Sequence, residues 1–308
     1  MPLNKSTYKA HMALLGANLI YGVNYIIAKG IMPDKIGPSS FVFIRLLCAT
    51  PMFWILKTFI IKEPIDKKDM LRLAFCGLLG AAANQLLFFH GVNLTSPIDA
   101  SIIMTVVPVI VLVFSSLLLK EHITKNKVLG IIIGGIGAVM LILYGNNAPG
   151  TSSLLGNLFI FLNALSYSLY LVFVKPLMTK YRAITVISWV FLFGFCFTLP
   201  FSINDFIHTD FASFTLNTYL VVAFVVLFTT FFAYLFNIYS LNYVSPSVTS
   251  SYIYLQPLIS FVMVTIYAEF LSQKQYVQDI NLIKIVSCLL VVFGVYMVSK
   301  KPKIQSIN

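Results

Sequence analysis

Amide and phenol side chains recur at helical spacing inside the most apolar stretches of this 308-residue sequence. Asn18, Tyr21 and Tyr25 stand at i, i+3 and i+7 with Asn24 adjoining, so they share one face of a helix. Such groups bind polar solutes reversibly, and inside a bilayer they are costly without partners or water. Because similar faces occur in several stretches, the pattern predicts the lining of a cavity. The residues assigned to this lining are Asn18, Tyr21, Asn24, Asn84, Gln85, Asn163, Tyr167, Tyr170, Tyr234, Asn237, Tyr252 and Gln256.

The predicted lining is polar, aromatic and nearly uncharged. It suits small zwitterions or neutral solutes, whose charges can be met by amides, hydroxyls and backbone carbonyls. For any one residue the alternative is a hydrogen bond from helix to helix, which needs no solute. Correlated faces on several helices favour the cavity.

Few charged groups fall within the apolar stretches. Arg45 is one of them and stays protonated, and a carbonyl, Asp34, Asp99 or a substrate carboxylate could each pair with it. His90 and Asp99 could form a protonatable pair, or Asp99 could cap a helix while His90 lies at the lipid interface. Together with Ser101 they form the only near-cluster of catalytic groups in the sequence. This near-cluster has no plausible site for a leaving group, so an enzyme is not expected. The four cysteines stand alone in separate stretches, so we expect no metal or other cofactor.

Two prolines lie near the midpoints of predicted helices. Pro108 and Pro257 lack an N–H and crowd the carbonyl four residues earlier, at Met104 and Ile253. Freed carbonyls at membrane depth must be satisfied by protein, water or ligand. We therefore expect kinks and acceptors that serve binding or gating, although a purely structural kink is the alternative.

The composition indicates the environment of these side chains. Hydrophobic residues make up 59% of the chain and charged residues 10%, and the mean hydropathy is +0.90. Soluble domains are about 45–50% apolar, so the sequence predicts an all-α integral membrane protein. Ten apolar stretches reach or approach the roughly 20 residues that a membrane-spanning helix needs. They cover residues 10–29, 38–60, 70–91, 97–119, 127–144, 153–174, 184–203, 216–241, 246–270 and 283–299.

The net charge of +11 is distributed unevenly along the chain. With the amino terminus in the cytoplasm, sixteen Lys and Arg residues fall inside, four fall outside and Arg45 lies within a span, which accounts for all 21. Basic residues favour the cytoplasmic side, so both termini are expected there. The same distribution favours contact with anionic lipid over binding of nucleic acid.

The chain also repeats itself. Thr95-Ser96-Pro97 with Pro108 is matched, 149 residues later, by Val244-Ser245-Pro246 with Pro257. The pattern predicts two five-helix repeats, residues 1–148 and 149–308. Since five is odd, the second repeat must enter the membrane from the opposite side, as in many carriers.

These residues resemble the ten-helix EamA carriers of the drug/metabolite transporter superfamily. The resemblance rests on Tyr21-Gly22, on Arg45, on the Ser-Pro starts of spans four and nine, on the two prolines and on Glu121, which closes span four. It departs at Tyr21, where many members have Trp, and at Lys120, where many have Gly.

The resemblance implies a cavity between the two halves, lined by helices one, three, four, six, eight and nine. It also implies transport of a small polar or amphipathic metabolite, with an amino-acid-like solute and outward movement expected. The expected partners are that solute and membrane lipid, the chain acting as a monomer or homodimer in a plasma membrane, the bacterial inner membrane. An integral membrane enzyme and a non-transporting scaffold are the alternatives.

Overall fold

The computed structural model describes residues 5–29, 31–32, 34–95, 100, 103–145, 153–256, 258–259 and 282–300. Within these ranges the chain forms helices and turns, and no β-strand occurs in them. The all-α prediction is confirmed for this part of the chain. Asp99 and Pro257, both predicted site residues, lie outside the described residues.

The helices overlap the predicted apolar stretches. Five of them are long and apolar enough to cross a membrane, at Pro38–Ile60, Lys67–Leu94, Leu154–Thr179, Ala183–Ile207 and Leu216–Ser240, and shorter apolar helices occur at Val107–Leu119 and Ile285–Ser299. The helices are α1 (Lys5–Lys29), α2 (Pro38–Ile60), α3 (Lys67–Leu94), α4 (Val107–Leu119), α5 (Lys125–Gly145), α6 (Leu154–Val174), α7 (Ala183–Ile207), α8 (Leu216–Ser240), α9 (Pro246–Ser251, continued by a 3₁₀ turn at Tyr252–Tyr254) and α10 (Leu282–Ser299).

The outward faces of these helices are apolar. Leu117 on α4, Ile132 on α5, Phe201 on α7 and Leu289 on α10 all stand exposed. A soluble monomer rarely presents so much contiguous apolar surface, whereas lipid tails solvate it. The fold is therefore that of a multi-pass membrane protein.

Two helices contain a π-helical segment at matching places. Leu78–Ala83 interrupts α3 and Val225–Phe232 interrupts α8, and the two segments begin 147 residues apart. The aromatic ring of Tyr170 fills the space beside the first, because a Cβ at Gly80 would overlap that ring. A π-helical segment changes the direction in which the following side chains point, and such segments often occur at functional sites.

The contacts between helices also follow a regular pattern along the chain. Helix α2 packs against α7, α4 against α9 and α5 against α10, so each of these helices contacts the one five places later. Helix α3 packs against α6. Helix α8, five places after α3, packs against α1, five places before α6. Helices of the first half of the chain thus pack against helices of the second half.

Close packing of α5 against α10 depends on glycine. A Cβ at Gly294 would lie 2.5 Å from Gly134 Cα and 2.6 Å from Gly130 O, and one at Gly137 would lie 2.7 Å from Leu290 Cβ. Small residues let membrane helices approach backbone to backbone. The Gly130-x-x-x-Gly134 spacing is therefore used within the chain.

Helix α4 does not contain Pro108 near its middle, where a kink was expected. Helical residues 103–104 are followed by a turn, and α4 begins at Val107 with Pro108 in its first turn. The chain breaks there because proline fits the start of a helix better than its interior. At the other end of α4, Lys120 has a positive φ of 53°, a conformation that favours glycine.

Candidate functional site

A cavity of about 90 Å³ lies in the middle of the bundle. Helices α1, α2, α3, α6, α8 and α9 supply its lining, with Met104 from the residues before α4 and Gln256 from those after α9. The lining residues are Asn18, Tyr21, Asn24, Arg45, Asn84, Gln85, Phe88, Phe89, Met104, Asn163, Tyr167, Thr229, Tyr234, Asn237, Thr249, Ile253 and Gln256.

Most of the predicted binding residues lie in this lining, and two of the twelve do not. Tyr170 packs its ring against Gly80 of α3, and Tyr252 forms a hydrogen bond with His11, 2.8 Å from its Nδ1. Both therefore act in helix packing in this structure. Pro108 is buried at the start of α4, outside the lining.

Sequence reasoning did not assign several lining residues. Phe88, Phe89, Met104 and Ile253 form an apolar wall. The types of Phe88 and Phe89 gave no signal distinct from the core, and Met104 and Ile253 were expected only as the residues whose carbonyls the two prolines free. Thr229 lies five residues before Tyr234, a spacing that a regular α-helix does not place on one face. The π segment of α8 does so, because its turns are wider.

Hydrogen bonds between lining residues connect the two halves of the chain. On α1, Asn18 Oδ1 accepts from Gln256 Nε2 at 2.8 Å, and Tyr21 Oη accepts from Asn237 Nδ2 at 3.3 Å. Asn24 Oδ1 likewise accepts from Thr229 Oγ1 at 3.1 Å. The cavity therefore lies at the interface of the halves.

Helix α3 makes similar connections to the second half. Asn84 O accepts from Asn163 Nδ2 at 2.6 Å, and Asn84 Oδ1 accepts from the Tyr234 hydroxyl at 3.2 Å. The ring of Tyr234 meets that of Tyr21 edge-on, with 6.5 Å between centroids. Two amides and two phenols thus hold α1, α3, α6 and α8 around one space.

Some buried polar atoms of the lining have no protein partner. Asn163 Oδ1 and Thr249 Oγ1 form no hydrogen bond with the described residues. Buried polar groups are rarely unpaired. These two groups beside one cavity are suited to a polar ligand or to water.

Polar contacts also occur at both ends of the bundle. At one end, Ser39 Oγ lies 2.9 Å from His90 Nε2, and His90 is not part of the lining. At the other end, Lys180 Nζ donates to Asp69 at 3.0 and 3.2 Å. The hydrogen bond and the charge of Asp69 raise the pKa of Lys180, so Lys180 stays charged at neutral pH and loses this contribution as pH rises through that pKa.

The chain described so far is a multi-pass membrane protein with a polar cavity lined by residues from both halves of the sequence. Within the described ranges, no group of three or more His, Cys, Asp and Glu is placed to hold a metal ion. Residues 8–143 and 154–300 match the EamA-like transporter family. The chain belongs to that family.

Curated relatives are similar along most of their length. An uncharacterized transporter of Archaeoglobus fulgidus is 26% identical over 86% of this chain and 90% of its own. The uncharacterized transporter YyaM of Bacillus subtilis is 23% identical over 97% and 96%. A solved structure, described only as a protein, has a TM-score of 0.73 over 94% of this chain and 95% of its own, at 15% identity, and so supports the fold alone. The family and these names indicate a membrane transporter and not an enzyme.

Proposed function

We propose that this protein moves a small polar or amphipathic metabolite, such as an amino-acid-like solute, outward across the membrane by alternating access. The observation that carries this proposal is the central cavity, whose polar side chains bond across the two halves. Each such bond is worth only about 0.6 kcal/mol between membrane helices. The halves can therefore exchange these contacts as they rock about a bound solute.

We further propose ten membrane-spanning helices in two inverted repeats, residues 1–148 and 149–308. The five-place shift in helix pairing and the π segments 147 residues apart support this arrangement. The family match also falls into two stretches, one in each proposed repeat. Because α5 uses its glycines against α10, a monomer is sufficient for this packing, and a homodimer is the alternative.

We expect a plasma membrane location, the bacterial inner membrane, with both termini in the cytoplasm. Single cysteines at Asn147 and Thr209, in a chain without its four native cysteines, should react with an impermeant thiol reagent added to sealed cells. Cysteines at Lys67 and Lys125 should react only after the cells are opened. Labelling of the Lys67 position in sealed cells contradicts this orientation, and equal labelling of all four contradicts the topology.

Transport itself is tested in proteoliposomes loaded with radiolabelled amino acids. Since no carboxylate occurs in the described lining, we expect efflux without a pH gradient, and collapse of an imposed gradient should change the initial rate little. Protein-free liposomes give the background leak. Concentrative uptake that needs the gradient and disappears in His90→Ala contradicts this mode of coupling. The absence of protein-dependent flux for every amino acid contradicts the proposed solute.

A further inference from the structure

Arg45 brings a buried positive charge to the cavity. The residue is 3% exposed, and its guanidinium lines the cavity beside Phe89, with 4.6 Å between Cζ and the ring centroid. Its Nε donates to Thr230 Oγ1 at 2.8 Å. The hydroxyl of Thr230 in turn donates to Val225 O within the π segment of α8. The bond from Arg45 to Thr230 therefore ties the guanidinium to the second half of the chain.

The described residues leave this charge without an anion. Their ion pairs are Lys127 with Glu121 and Lys180 with Asp69, and Asp34, one candidate partner, is exposed. The guanidinium has five N–H donors, of which the described contacts use one. A buried charge is costly unless it is paired, so the remaining donors are suited to an anion that enters the cavity.

We propose that Arg45 binds the carboxylate of the transported solute, which makes a carboxylate-bearing amphipathic metabolite the substrate class. The inference rests on the proposed transport function and adds the group that is recognised. A guanidinium fork matches a carboxylate with two parallel hydrogen bonds. The unpaired acceptors Asn163 Oδ1 and Thr249 Oγ1 suit the ammonium group of a zwitterion, and the wall formed by Phe88 and Ile253 suits an apolar side chain.

Binding is measured separately from transport, by thermal melting of the purified full chain in detergent. The probes are L-leucine, L-phenylalanine and 3-phenylpropionate, each at up to about 10 mM, because a ligand that binds the folded state stabilises it by RT ln(1 + [L]/Kd) and so raises the melting midpoint as its concentration exceeds Kd. L-leucinamide, L-phenylalaninamide and 3-phenylpropanamide are matched compounds without the carboxylate. At least one carboxylate should raise the midpoint, and its matched compound should not.

Arg45→Gln should weaken binding of that carboxylate roughly 10- to 100-fold, the range expected for lost hydrogen bonds to a charged group. Arg182→Gln is the matched control, because the side chain of Arg182 is exposed outside the cavity. Arg45→Lys, which keeps the charge without the fork, should bind with intermediate affinity.

A structural role for Arg45 gives a different result. If the charge serves a ligand, the apolar variant Arg45→Met should melt, without ligand, at or above the midpoint of the unmodified protein, because a desolvated charge has been removed. If Arg45 pairs internally with Asp99, Arg45→Met should melt lower and Asp99→Asn should lower the midpoint to a similar extent. That pair of results overturns the proposal.

The proposal is also overturned if none of the three carboxylates raises the midpoint, or if the amides raise it equally. Carboxylate binding that depends on Arg45 without any flux in proteoliposomes contradicts the transport function and leaves the binding site standing. Flux of a solute without a carboxylate, unchanged by Arg45→Gln, contradicts this inference and leaves transport standing.

Discussion

Asn237→Leu and Gln256→Leu should each lower the initial rate of solute flux by about tenfold or more. Both side chains line the cavity, and each forms a hydrogen bond to α1, Asn237 with Tyr21 and Gln256 with Asn18. Leucine has a similar volume but no polar atom, so the solute loses a partner and the group on α1 is left unpaired. A buried polar group without its partner costs about 1–3 kcal/mol, and 1.4 kcal/mol corresponds to about tenfold in an equilibrium constant.

The measurement is radiolabelled efflux from proteoliposomes that contain equal amounts of folded protein, checked by gel filtration. Asn204→Leu is the matched control, because its side chain is exposed near the end of α7 and outside the cavity. Its flux should equal that of the unmodified protein. If the two cavity variants transport normally but melt at lower temperature, both residues only connect helices and the cavity is not the path of the solute.

The positions of the helices could be predicted from the sequence because the bilayer imposes a simple rule. A spanning helix must satisfy its own backbone and present apolar side chains to lipid, and each of the helices α1 to α10 overlaps a predicted apolar stretch. The polar faces were informative for the same reason. Asn18, Asn84 and Asn163 would be costly facing lipid, and the structure places all three in the cavity lining.

The prediction fails where a local irregularity changes the helical period. The π segment of α8 moves Thr229 onto the cavity face, and no residue type marks that segment in advance. Tyr170 and Tyr252 have the right type and spacing, yet they pack against Gly80 and bond to His11. Periodicity identifies the face of a helix, but only tertiary packing decides which residues of that face reach the cavity.

The partner of the charged residue Arg45 could not be predicted from the sequence either. The sequence left a carbonyl, two carboxylates and a substrate as its possible partners. In the structure, Nε of Arg45 donates to the hydroxyl of Thr230. Asp34 is exposed, so it is not the partner of this buried charge. Thr230 is 185 residues from Arg45 in the chain, so no local pattern could have identified this contact.

The second large effect concerns the contact between α5 and α10. Gly294→Ala should destabilise the folded protein by about 3 kcal/mol, the upper end of the usual cost of overpacking. The new Cβ would lie 2.5 Å from the backbone atoms Cα and N of Gly134 and 2.6 Å from Gly130 O. Flexible side chains can rotate away from such a contact, but backbone atoms of a helix cannot. The two helices must therefore separate, and neighbouring close contacts such as that of Gly137 with Leu290 weaken with them.

Gly16→Ala is the matched control, since it places the same methyl group in the interior of α1 at an ordinary distance of 3.5 Å from Phe236. Alanine favours a helix over glycine by about 0.8–1.0 kcal/mol, so this variant should melt at or above the midpoint of the unmodified protein. The two substitutions are chemically identical, and the expected difference in their midpoints comes only from what each methyl group meets. Equal melting of both variants in the same detergent contradicts direct backbone contact between α5 and α10, and with it the use of the glycines within a single chain.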